Sequence, residues 1–178
     1  MKNLLFLTLA LIGLGLSSCQ KEEAPLAPVE LTGITLLNYN EFKSVYSYQY
    51  ATYSRESWDE DVPGRPQEKY ADVFVHVYYR RSPYQVDTLL KGRNILHNWP
   101  YDQSANIPIS PIAFETGTEA MVEIRLLDYD EAGAHEVIDT FLFSMAAVRR
   151  NQMETAYLST YSHNANTGSN IRIDVNYN

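Results

Sequence analysis

Residues 122–139 have the sequence VEIRLLDYDEAGAHEVID, and this stretch does most to decide the fold. An apolar segment, Val122–Leu127, is short enough for a buried strand and runs into a loop that opens with Asp128 and Asp130. A third acid, Glu136, stands directly before a second apolar segment. The pattern predicts two strands whose connecting loop gathers carboxylates.

The rest of the chain also has a composition and a pattern that favour β-strands. It contains 14 tyrosines, which together with Val, Ile and Thr favour β-sheet, and no helical apolar period lasts three turns after Cys19. Short segments separated by turn residues predict an all-β fold, an eight-stranded antiparallel β-sandwich over residues 31–178. The predicted strands are 31–39, 72–79, 84–91, 106–114, 120–128, 137–144, 154–161 and 170–176.

Residues 40–71 interrupt this spacing, and we interpret them as a long loop or an inserted hairpin. The first half alternates aromatic residues with small or polar ones, which indicates a binding face for a glycan or a protein. The alternative is a sandwich core that is filled by these rings. The candidate face consists of Tyr46, Tyr48, Tyr50, Tyr53 and Trp58.

Three segments together resemble a C2 domain, the eight-stranded calcium-binding sandwich. The family carries Asp-x-Asp after a central strand and another acid eight residues after the first, a spacing that Asp128, Asp130 and Glu136 reproduce. Asp72, at the start of a predicted strand, is similar to the loop-one ligand, and residues 94–100 are similar to the family's Asn-Pro-x-Trp segment. The resemblance implies a calcium site formed by these four acids.

The chain departs from the C2 pattern at several positions. Where the family has a second loop-one Asp, six residues before Asp72, this chain has Pro66, and Asp59 is our choice of substitute. Glu136 replaces an Asp, and Asp139 replaces a preferred Gly. The predicted metal ligands are therefore Asp59, Asp72, Asp128, Asp130 and Glu136.

Charge leaves two interpretations of these acids open. Carboxylates gathered at one end of a sandwich repel by about 3 kcal/mol per pair at ~5 Å and an effective dielectric near 20. Calcium, which takes oxygen ligands, would neutralise them, whereas the plainer interpretation is that they are solvated turn residues. The net charge of −8 disfavours nucleic acid as a partner.

The N-terminal residues predict where in the cell the protein is located. Residues 1–18 combine one early positive charge, an apolar run too short to span a bilayer and small residues, which is typical of a secretory signal peptide. Leu16–Cys19 resembles the lipobox of bacterial lipoproteins, so Cys19 is predicted to carry acyl chains such as palmitate. Residues 19–30 then form a lipidated tether stiffened by two prolines. Residues 20–23, QKEE, resemble an export signal to the outer face of the outer membrane, or are an ordinary charged linker.

Catalytic patterns are missing from the sequence. The four histidines are scattered, and there is neither a Gly-x-Ser-x-Gly elbow nor a glycine-rich phosphate loop. We therefore predict a non-enzymatic, calcium-binding adaptor or binding module, held in the cell envelope as an outer-membrane lipoprotein with an envelope protein or glycan as partner. The alternatives are a metal-independent interaction or glycan-binding module and, last, an envelope hydrolase.

Overall fold

The computed structural model describes most of the chain from residue 28 onward. The described ranges are 28–47, 49–50, 52–59, 70–82, 84–114, 121–131, 134–160 and 168–177, without the side chains of residues 44–46 and 52–53. The predicted signal peptide, 1–18, and Cys19 with most of its tether lie outside these ranges. Among the described residues, no helix has the length and apolar character that a bilayer crossing requires.

The described residues form eleven strands and one short helix. Their bounds are β1 Val29–Asn38, β2 Lys43–Ser47, β3 Thr52–Glu56, β4 Val73–Ser82, β5 Gln85–Lys91, β6 Ala105–Ile107, β7 Ile112–Phe114, β8 Met121–Asp128, β9 Glu136–Ser144, α1 Met145–Arg150, β10 Thr155–Ser159 and β11 Asn170–Tyr177. One sheet has the order β10, β11, β1, with β6 and β7 both paired to the other side of β1. The second sheet has the order β5, β4, β8, β9.

All strand pairs in both sheets are antiparallel, so the predicted all-β sandwich is confirmed. Each sheet has four strand positions if β6 and β7 count as one interrupted strand, which gives the eight positions that the sequence predicts. The interruption differs from the single strand predicted at 106–114. Its cause is Pro108 and Pro111, which have no N–H to donate to a ladder.

The strands β2 and β3 form a separate two-stranded hairpin within residues 40–71. Of the two alternatives for this region, the hairpin is therefore present at 43–56. The segment from residue 60 to residue 69, predicted as a loop, lies outside the described residues.

The hydrophobic core lies between the two sheets. In β11, Ile171, Ile173 and Val175 are buried while Arg172 and Asp174 between them are only half-buried, which is the two-residue period of a strand with one face on a core. The central strands of both sheets supply most of the remaining core residues: Leu31, Ile34 and Leu36, Val73, Val75 and Val77, and Val122, Ile124 and Leu126.

We expect Leu126→Ala to destabilise the sandwich by about 2 to 5 kcal/mol, because the change removes buried apolar surface and leaves a cavity. Leu126 is fully buried in β8, whereas Leu142 on the neighbouring strand β9 is 51% exposed. The matched change Leu142→Ala should therefore cost less than about 1 kcal/mol. Urea unfolding of both variants measures the difference, and equal losses would contradict this placement of the core.

Hydrogen bonds show which strand ends lie together. Just beyond β1, the Tyr39 hydroxyl donates to Trp99 O (2.5 Å) and accepts from Ala71 N (3.2 Å), so β1 ends beside the start of β4. At the other end, the Tyr177 hydroxyl donates to Val148 O (2.9 Å), so β11 ends beside α1. We call the first end the loop edge, and the second, where β1 begins, the tether end.

Candidate functional site

The loop edge brings the predicted ligands of three segments into register. Asp128 is the last residue of β8, and it pairs with Val73 of β4 on one side and with Glu136 of β9 on the other. Asp72 directly precedes β4. The sandwich register therefore holds Asp72, Asp128 and Glu136 side by side.

Asp128 is the central residue of this arrangement and is fully buried. Its Oδ1 atom accepts a hydrogen bond from Asp72 N (2.7 Å), while Tyr129 N donates to Asp72 O (2.9 Å). The second oxygen, Asp128 Oδ2, is buried and has no hydrogen-bond partner in the described part of the chain. A buried carboxylate oxygen without a partner is costly, so this atom requires an explanation.

The carboxylates of the loop edge act on one another electrostatically. Burial raises the pKa of Asp128 to about 7 from an ordinary 3.8, and neighbouring carboxylates add to the rise against the hydrogen bond from Asp72. Burial likewise raises the pKa of Asp59 to about 6, with further contributions from the charges of Asp72 and Asp130. Like charges disfavour ionisation of each group, so the site is one that a proton or a cation would stabilise.

Two of the predicted ligands are held by protein partners instead. Asp72 accepts from Asn98 N at Oδ1 (2.6 Å), and its Oδ2 lies 2.9 Å from His97 Nδ1. Glu136 forms an ion pair with Lys43 (2.7 Å). In the ranges that the structure describes, no group of three or more His, Cys, Asp and Glu side chains is arranged to hold a metal ion.

The structure therefore places Asp59, Asp72, Asp128 and Asp130 within electrostatic range of one another and engages Glu136 with a cation of the chain. Calcium binding by these five residues stays a prediction. Sequence reasoning missed Lys43, because its partner Glu136 stands 93 positions further along the chain and no local pattern links the two.

The Asp-x-Asp loop is also fixed by aromatic rings. His135 stacks on Tyr129 with 4.9 Å between ring centroids and meets the edge of Phe74 at 5.0 Å. These rings line a groove of about 540 Å³ together with Lys91 and Arg93. The Asp-x-Asp loop therefore borders an aromatic groove that also has two cationic side chains.

The predicted aromatic face is only partly described. Trp58 is buried, and its Nε1 donates to Asn40 O (2.7 Å), so it packs against the sandwich instead of facing solvent. Tyr50 is 70% exposed. Tyr48 and the side chains of Tyr46 and Tyr53 lie outside the described residues.

Removing the charge of Asp128 tests the electrostatics of the loop edge without calcium. The raised folded pKa means that the unfolded chain ionises first, so the unfolding free energy falls as pH rises from about 4 to about 7. The ionisation of Asp128 is expected to lower the unfolding free energy by an amount on the order of 4 kcal/mol, at about 1.36 kcal/mol per pKa unit.

We therefore expect Asp128→Asn, which keeps the acceptor for Asp72 N, to be more stable than the natural chain at pH 8 in a chelator and equal to it near pH 4. Urea unfolding at both pH values measures this. Glu154→Gln, an exposed acid at the tether end, is the control and should show no such gain. A variant that is less stable at pH 8 would refute the prediction.

Comparisons with known proteins give no family assignment from sequence. No family model matches this chain. No curated protein matches it. Several solved structures that resemble it are C2 domains.

Three of these likenesses are representative. C2 domain A of plant Extended Synaptotagmin 1 is 10% identical to this chain, with a TM-score of 0.43. The match covers 88% of this chain and 98% of that one. BON1-C2B is 12% identical to this chain, with a TM-score of 0.48. The match covers 89% of this chain and 95% of that one. The calcium-bound structure of C2 domains A and B of Extended-Synaptotagmin 2 is 8% identical to this chain, with a TM-score of 0.41. The match covers 85% of this chain and 46% of that one. Because these TM-scores are below 0.5 and the identities are 12% or less, the likeness carries no argument about function.

Proposed function

We propose that this chain is a lipid-anchored cell-envelope protein whose β-sandwich is a non-enzymatic binding or adaptor module with a calcium site at its loop edge. The observation that carries the proposal is the buried Asp128 Oδ2 atom, which has no hydrogen-bond partner among the described residues. Burial, together with the charges of neighbouring carboxylates, raises the pKa of Asp128 and of Asp59. A divalent cation removes both the repulsion and the unmet hydrogen-bonding capacity.

The residues present fit such a cation in part. Asp59, Asp128 and Asp130 would hold it, and Glu136 would join them only by leaving Lys43. Calcium tolerates flexible oxygen ligands and water, which suits a set of loop carboxylates that is not fully preassembled. When bound, calcium supplies positive charge that neutralises the carboxylates and can bridge them to an anionic envelope glycan or protein.

Lys43 has a defined part in this proposal. Its Nζ atom binds Glu136 and lies 3.4 Å from Trp58 O, so it partly neutralises the loop edge when no calcium is present. Because Lys43 begins β2, release of Glu136 would remove one ion pair between the hairpin and β9. Calcium binding would therefore weaken this contact of the hairpin with the sandwich.

Calorimetric titration of the mature chain with calcium at pH 8 tests the site directly. We expect heat of binding and a rise in thermal midpoint, with a weaker response to magnesium, which requires nearly ideal octahedral geometry. Absence of heat and of any thermal shift at millimolar calcium would overturn the calcium site while leaving the fold unaffected.

A second candidate, a metal-independent module for an envelope glycan or protein, is supported by the aromatic groove beside the loop edge. Phe74, Tyr129 and His135 line it with rings that suit a sugar face. This candidate predicts that Tyr129→Ala abolishes capture of envelope glycans in a chelator while Asp128→Asn leaves it intact. The opposite pattern favours the calcium-dependent module.

A further inference from the structure

We infer that the sandwich is held with its loop edge pointing away from the membrane that carries Cys19, and that its tether end rests on the lipid surface. The inference rests on the proposed lipid anchor and adds an orientation to it. It follows from the end of the sandwich at which the tether enters, from chain length and from the surfaces of the two ends.

The tether enters the sandwich at the end opposite the candidate calcium site. Strand β1 begins at Val29, which pairs with Tyr177 and Phe114, and it runs toward the loop edge. Beside this start, the buried Arg149 donates to Phe114 O, so α1 lies at the same end. Ten residues of strand rise about 33 Å, which separates the loop edge from the point of attachment.

The length of the tether argues against the inverted orientation, in which the loop edge would lie on the bilayer. Residues 20–28, even fully extended, span about 30 Å at roughly 3.3 to 3.6 Å per residue. To bring the loop edge to the bilayer, they would have to run back along the whole length of β1. A fully extended tether would then barely span the length of the strand. With the tether end on the lipid surface, by contrast, the tether does not have to be extended.

The described surface of the tether end suits a lipid–water boundary. Tyr84 is 99% exposed, and Met121 and Met153 are 36% and 40% exposed. Arg150 and the Arg81 side chain are also exposed, although Arg81 pairs with Asp87 at 2.7 Å. Exposed apolar side chains flanked by arginines are typical of residues that sit among lipid headgroups.

Charge distinguishes the two ends further. The described residues of the loop edge include eight acids, against Lys43, which pairs with Glu136, and Lys91 and Arg93 in the neighbouring groove. At the tether end, the exposed Arg81 and Arg150 are balanced by Asp87 and Glu154. Anionic headgroups therefore repel the loop edge more strongly than the tether end. The acids of the loop edge are Glu41, Asp59, Asp72, Asp102, Asp128, Asp130, Glu131 and Glu136.

Single labels on the lipidated mature chain test this orientation. Cys19 is the only cysteine, and acylation consumes its thiol, so an added cysteine is labelled alone. We would label Tyr84→Cys, Met153→Cys and Asp102→Cys with an environment-sensitive dye. The chains are then reconstituted in vesicles of phosphatidylethanolamine and phosphatidylglycerol that carry a headgroup quencher.

The expected result is loss of fluorescence for labels at residues 84 and 153 and no loss at residue 102. The same three labels on an unlipidated chain that begins at Gln20 give the baseline. Quenching at residue 102 equal to that at 84, in a chain that floats with vesicles, overturns the orientation but not the anchor. A purified mature chain that carries no acyl group and does not float overturns the anchor and the orientation together.

Discussion

Cys19→Ser is expected to abolish incorporation of labelled palmitate into this protein and to leave residues 1–18 uncleaved. Serine has no thiol for the acyl transfer that precedes cleavage at a lipobox, so both steps fail together. Mass spectrometry of the membrane fraction, with metabolic palmitate labelling, measures both effects. Location alone is a poor readout, because the uncleaved apolar run of residues 4–16 also holds a chain to a membrane.

Ser18→Ala is the matched control for that change. It keeps a small residue directly before the cysteine, so acylation and cleavage should proceed as in the natural chain. Two or more acyl chains anchor a protein stably, at about 0.8 kcal/mol per buried CH₂ group. Full palmitate labelling of the Cys19→Ser chain would exclude this cysteine as the site of lipidation.

Asp128→Asn is expected to lose most of its stability advantage over the natural chain when calcium is added. In a chelator at pH 8 the variant should be the more stable chain, because the buried charge among like charges is gone. With calcium at about a hundred times its dissociation constant, the natural chain gains about 2.7 kcal/mol, or roughly 5 to 10 °C in thermal midpoint. The variant should gain far less, because it has lost a central carboxylate.

The narrowing of the stability difference between the two chains on addition of calcium is what makes this test specific. Glu154→Gln removes one negative charge at the opposite end, so it should respond to calcium as the natural chain does. Melting curves of the three proteins with and without calcium provide the comparison. Equal calcium responses in Asp128→Asn and the natural chain would mean that calcium acts elsewhere.

The fold was largely predictable from the sequence because each sheet has one face on the core. The alternation of Ile171, Ile173 and Val175 with polar residues is enough to predict a strand, since a two-residue period has no other common structural origin. The split between β6 and β7 was missed although both prolines are visible, because the flanking apolar residues dominated the pattern. Pairing partners far apart in the chain, such as β1 with β11, leave no local signal.

The candidate site was predictable to a smaller extent. The proximity of Asp72, Asp128 and Glu136 follows from strand ends, which the sequence indicates. The ion pair between Lys43 and Glu136 joins residues from two separate sheets and depends on where the hairpin lies. The unmet Asp128 Oδ2 depends on burial, which only the packed structure reveals.

The proline interruption between β6 and β7 would matter most if the proposed lipid anchor gathers copies of this protein on one membrane. Such an anchor confines molecules to a plane, where exposed sheet edges of neighbours meet far more often than in solution. An edge that offers only three-residue pieces broken by Pro108 and Pro111 gives a neighbouring strand little to pair with. That edge thus protects the protein against edge-to-edge aggregation at high surface density.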